Sequence, residues 1–161
     1  VIKDLNPDFY GGIQNTLSYK GVTLDFLFQF VRQENFSETY RFTMPGTFSN
    51  QPAAVADHWQ ISGDNAAYQA YSNSNSIRSA AYSRYIQSDA AVSDASFIRL
   101  KNISIAYELP KEWTKNLNCR ISVEGQNVLT FTRYKGMDPE FSSAGYLPPL
   151  KIFSTSVQVS F

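Results

Sequence analysis

Phe153-Ser154-Thr155-Ser156-Val157-Gln158-Val159-Ser160-Phe161 alternates without a break. Phe153, Thr155, Val157, Val159 and Phe161 fall on one face, and Ser154, Ser156, Gln158 and Ser160 on the other. A period of two places successive side chains on opposite faces of a strand, so this stretch reads as a strand with one apolar and one polar side.

The same period recurs upstream in four further segments. Residues 119–134 set Ile121, Val123, Leu129 and Phe131 against Arg120, Ser122, Glu124, Gln126, Thr130 and Thr132. The next segment sets Ile103, Ile105, Tyr107 and Leu109 against Asn102, Ser104, Ala106 and Glu108, with Arg99 and Lys101 expected near an aqueous rim. Residues 22–33 place Val22, Leu24, Phe26, Phe28 and Phe30 together, opposite Thr23, Asp25 and Gln29, with Leu27 and Val31 interrupting the polar side. In residues 10–19, Ile13, Leu17 and Tyr19 face away from Gln14, Thr16 and Ser18, and Asn15 breaks the pattern. Each segment is close to the roughly 9–11 residues that a tilted strand needs to cross a bilayer. The fold class is therefore all-β, with about five antiparallel strands of a transmembrane β-barrel.

Composition agrees with strands. Ten Tyr and twelve Phe stand against two Met in 161 residues, which favours strand formers over helix formers. Fourteen basic residues balance fourteen acidic ones, leaving no electrostatic case for nucleic acid. Cys119 is the single cysteine, so an internal disulfide, a zinc cluster and a CxxC pair are excluded, and it reads as a small apolar residue at a strand start. The mean hydropathy of −0.30 resembles that of a soluble protein. Barrel strands escape that measure, because their lumen-facing residues offset their lipid-facing ones. The opening Val1-Ile2-Lys3-Asp4 has neither an initiator Met nor a signal peptide, as expected of a fragment or a processed piece.

Outer-membrane barrels have short periplasmic turns and long extracellular loops. Lys20-Gly21 and residues 110–118 read as the short turns; residues 34–96 and 136–149 read as the long loops. That alternation puts Phe161 in the periplasm. Within the longer loop, partial helix is expected over residues 51–60 and 79–86.

Four blocks in order carry a resemblance: NPDFYGGIQNTLSYKGVTLDFLFQF (6–30), SFIRLKNISIAYELP (96–110), VEGQNVLTFTRYKGMDPEF (123–141) and SVQVSF (156–161). Together they resemble the C-terminal part of a SusC/RagA-type TonB-dependent outer-membrane transporter. The resemblance implies a plugged barrel of roughly 22 strands, of which residues 1–161 are a C-terminal segment without the plug and N-terminal domains. It further implies TonB-driven import of an oligosaccharide or peptide, with a SusD-like surface lipoprotein as lid. Partners on that reading are the lipoprotein, the TonB complex through the absent N-terminal region, outer-membrane lipid and the cargo, with no nucleic acid. Val157, Val159 and Phe161 resemble the C-terminal signal by which such proteins are inserted.

Loop aromatics are the candidates for contact with cargo or lid: Tyr40, Trp59, Tyr68, Tyr71, Tyr82, Tyr85 and Tyr146 each offer a flat apolar ring, most with a polar handle. They serve equally as a small loop core. Tyr19, Tyr107 and Phe131 read by parity as interfacial girdle residues. His58 has no His or Cys at ligand spacing, so it reads as loop packing and no metal is expected. Asp25 and Glu124 read as a polar lumen wall, ahead of an acid–base pair. Gly11-Gly12 opens a strand where a bend or a close neighbour needs room. Phosphate-loop, HExxH and nucleophile-elbow patterns are absent, and no enzyme activity or cofactor is expected. The rival reading is a soluble β-sandwich carbohydrate-binding module without transport. An outer-membrane hydrolase lacks a Ser/His/Asp arrangement.

Overall fold

The computed structural model describes residues 3–37, 44–73, 77–114, 117–141 and 147–160. Their strands are β1 (Phe9–Tyr19), β2 (Val22–Arg32), β3 (Glu34–Phe36), β4 (Val92–Asp94), β5 (Phe97–Glu108), β6 (Asn118–Thr132) and β7 (Ile152–Ser160). Helix α1 covers Ile77–Ile86. The chain forms two compact units, one of Pro7–Gln33, Ser96–Arg133 and Pro148–Phe161, the other of Val1–Asn6, Glu34–Ala95 and Tyr134–Leu147.

The first unit is one antiparallel sheet in the order β1-β2-β5-β6-β7. All five alternating segments form these strands, within a few residues at each end. The tight connection after β1 follows from two residues with positive φ, Lys20 at 47° and Gly21 at 81°, the signature of a type I′ hairpin turn. Between β5 and β6, Trp113 N–H donates to the Pro110 carbonyl and the Thr114 hydroxyl to the Leu117 carbonyl at 2.6 Å. Both short connections therefore lie at one end of the sheet. The long ones, 33–96 and 133–151, lie at the other.

Register gathers the apolar side chains on one face. Ile13 pairs with Phe28, Phe26 with Ile103, Ile105 with Val123, and Ile121 with Val157. Asn15, out of pattern in the sequence, sits on this face opposite Phe26. Gly11 lies under the Phe30 ring, where an added Cβ would come within 2.6 Å of Cζ, which explains a glycine there by a close neighbour. At Gly125 an added Cβ would meet Val128 Cγ2 at 2.7 Å and the Phe153 ring at 3.3 Å. The face stays open: Ile13 is 60% and Val157 64% exposed. An 11-residue strand rises about 36 Å and, tilted by about 45°, spans roughly 25 Å, the height of a barrel's apolar band. No helix among the described residues is long and apolar enough to cross a membrane, which says nothing about strands.

The opposite face is hydroxyl-rich and pairs its polar groups across strands. The Thr16 hydroxyl donates to the Asp25 carboxylate, and Ser122 and Ser156 hydroxyls meet at 2.7 Å. Asp25, Ser104, Glu124 and Ser154 occupy one row. Arg99 departs from expectation. It is 1% exposed instead of lying at a wet rim, with Nε donating to Thr130 Oγ1 at 3.0 Å and the guanidinium 5.0 Å from the Phe97 ring centroid. Its pairing with Gln29 and Thr130 follows from a β-bulge at Lys101, which re-phases β5 so that Ile98 and Leu100 join the apolar face.

In the second unit, β3 and β4 form a two-stranded ribbon at the base of the 33–96 connection, with Glu34 opposite Asp94. Tyr134, expected at the end of a strand, is buried here instead, its hydroxyl donating to the Phe36 carbonyl at 2.6 Å. Of the two expected helices, α1 forms. The other is only a 3₁₀ turn, Ala53–Ala56, begun by Pro52 and anchored by buried Val55.

Candidate functional site

The candidate loop residues lie in the second unit, where the chain folds around two closures. In the first, Trp59 N–H donates to the Tyr68 carbonyl at 2.9 Å and Tyr68 N–H to the Asp57 carbonyl at 3.2 Å. The turn between them is held by Asp64, whose carboxylate accepts the Gln60 and Ile61 N–H groups at 2.8 and 2.9 Å. Those two bonds, Ile61 foremost, hold the Asp64 carboxyl below the usual carboxylate range.

In the second closure Ser72 N–H donates to the Pro45 carbonyl at 2.8 Å. Gly46 has φ of +92°, and a Cβ there would lie 2.7 Å from Ser72 N and from Tyr71 Cβ, so only glycine fits. The Tyr71 ring thereby stacks on His58, with centroids 3.6 Å apart and planes 10° from parallel. His58 Nδ1 donates to the Ala56 carbonyl at 3.1 Å. His58 is thus a packing residue, as expected.

Tyr82 and Tyr85 stand three residues apart on α1 and so share a face. With Pro45, Ala67, Tyr68 and Gln69 they line a pocket of about 100 Å³. Burial, then the neighbouring Tyr68 and Tyr85, push the Tyr82 phenol above its ordinary value. The Tyr85 hydroxyl donates to the Ala90 carbonyl at 3.3 Å.

The structure therefore brings Tyr68, Tyr82 and Tyr85 together. Tyr71 joins His58 instead, and Trp59 is 37% exposed at the first closure. Tyr40, Tyr146 and Phe161 lie outside the described residues. Val157 and Val159 are exposed on the apolar face of β7. Sequence reading missed Pro45, Gly46 and Gln69; the Pro-Gly turn signal was the one clue to the first two. Among the described residues, no group of three His, Cys, Asp or Glu could hold a metal. The pocket at α1 itself is lined by tyrosine rings, one amide side chain, a proline and an alanine.

No family model matches the chain. Three proteins of Formosa agariphila align with most of it. TonB-dependent receptor P3 is 35% identical over 143 residues, 87% of this chain and 13% of its own length. TonB-dependent receptor P26 is 28% identical over 147 residues, 86% of this chain and 14% of its own length. Over most of its length the chain is thus similar to proteins named TonB-dependent receptors. Its fold matches, over 100% of the chain, 18% of a chain in structures of the RagAB peptide transporter, at 24% identity and a TM-score of 0.76. The RagAB peptide importer in the 'closed-closed' state gives 24% and 0.77. These relatives are named as receptors and importers, and none as an enzyme. The chain spans 13–14% of the length of its TonB-dependent receptor relatives.

Proposed function

We propose that this chain contributes adjacent strands and a large surface insert to an outer-membrane, TonB-dependent importer of oligosaccharide or peptide. On this reading the importer is a plugged barrel of roughly 22 strands working with a SusD-like surface lipoprotein. The observation that carries it is the single sheet with one hydroxyl-rich face, one open apolar face and its long connections at one end. A spanning strand needs every backbone group paired, so β1 and β7 require neighbours from the rest of the barrel. The short turns then face the periplasm and the second unit faces outward, where its aromatic rings meet cargo or lid. Val157, Val159 and Phe161 serve as the insertion signal, with the C-terminus periplasmic.

A β-sandwich would need a second sheet over the apolar face. Among the described residues, the other sheet is a ribbon of two three-residue strands, too small for that task. The test is deletion of the gene for the whole protein, followed by growth on single glycans and peptides as nutrient sources. Loss of growth on at least one supports the importer; wild-type growth on all of them overturns it.

A further inference from the structure

Charge and apolar surface meet at the short-turn end of the sheet. Register sets Tyr19, Val22, Tyr107, Ile121 and Val157 in one row across all five strands, on the apolar face. Two residues further in on the same face, Leu17, Leu24, Ile105 and Val123 form the next row. The first row therefore marks a border, apolar on its inner side and ending in the hairpin turn on its outer side.

Lys20 stands at that border. Its Nζ lies 5.2 Å from the centroid of the Tyr19 ring, which is itself 73% exposed. The ammonium thus sits over an aromatic ring of the apolar face. The Tyr107 ring lies beside Gly21, whose missing Cβ would be 3.5 Å from Tyr107 Cε2. Two phenols consequently flank Val22 in register, with a cation above one of them. Among the described residues no carboxylate pairs with Lys20. Glu108, next after Tyr107 on β5, is turned to the other face, opposite Arg120.

An uncompensated ammonium at the edge of an apolar band is complementary to a phosphodiester at the edge of a bilayer's acyl region. Phosphatidylethanolamine brings its own ammonium, which offsets the phosphate; phosphatidylglycerol does not. We infer that the Tyr19–Lys20 corner binds the phosphate of an anionic glycerophospholipid, its acyl chains lying along the Leu17 and Leu24 row. The inference rests on the importer reading, turns its lipid partner from a solvent into a recognised head group, and is independent of the cargo.

The test uses the full-length protein in nanodiscs of equal parts phosphatidylethanolamine and phosphatidylglycerol. After extraction into mild detergent, the lipids retained by wild type, Lys20→Gln and Lys20→Arg are counted by native mass spectrometry. One lysine at an anionic surface contributes about fivefold in affinity. Wild type should therefore retain phosphatidylglycerol over phosphatidylethanolamine by about fivefold in its most tightly held lipid. Lys20→Gln should lose that preference and Lys20→Arg should keep it, while all three show the same gel mobility without boiling, so that the loss is not one of folding. Equal retention of both lipids by wild type, a preference that survives in Lys20→Gln, or its equal loss in Lys20→Arg overturns the site. Lipid retained without preference leaves the importer standing; a full-length protein that retains no lipid and stays monodisperse without detergent removes the importer as well.

Discussion

Asp64 closes the turn after Trp59 through two backbone N–H groups, and its carboxyl is held below the usual range mainly by the Ile61 N–H and then by Gln60. A depressed folded value means that the ionised carboxylate supports the turn above the ordinary Asp value of about 3.9. The support is lost as pH falls below that point and through the lower folded value. Hydrogen exchange at Gln60 and Ile61 should therefore show protection at neutral pH that fades on acidification. An Asp64→Asn variant with the same pH profile would refute the assignment. At this scale the sequence was only partly informative. Three pocket tyrosines were on view as loop aromatics, but Gln69, which lines the same pocket, carried no pattern. His58 and Tyr71 are thirteen positions apart, and nothing local to either announces the stack that Gly46 makes possible.

Among the elements, the β1–β2 hairpin depends on its two-residue turn. Gly21 at φ of 81° leaves a hypothetical Cβ 3.2 Å from the Glu108 carbonyl oxygen. Gly21→Val should cost about 1–3 kcal/mol, since a β-branched residue is strained in that region. Lys20→Asn should be neutral or mildly stabilising, because Asn suits the first position of this turn. Unfolding of the full-length protein in detergent, followed by gel mobility without boiling, would rank the three proteins; equal stability of Gly21→Val and wild type would count against the turn. The strands themselves were legible from period two because apolar side chains gather on one face and hydroxyls on the other. The reading failed where a bulge changed the phase: at Lys101, strict parity hides Ile98 and Leu100 from the apolar face and leaves Arg99 at an imagined rim. Helix was overextended at 51–60, where Pro52 starts a turn and Val55 alone supplies a buried anchor.

For the whole molecule, an open apolar face and two unpaired edge strands predict that residues 1–161 expressed alone form aggregates without detergent. Size-exclusion chromatography in plain buffer checks this, and a monodisperse monomer would favour a soluble domain. The 33–96 connection has a different bearing. It departs beside Val31 and returns at Phe97, residues paired across β2 and β5, and the β3–β4 ribbon fastens its base. Doubling a loop's length adds only about 0.6 kcal/mol of closure entropy. Entry and exit thus act as fixed splice points: recombination there can exchange the entire connection while the pairing of β2 with β5 stays as it is.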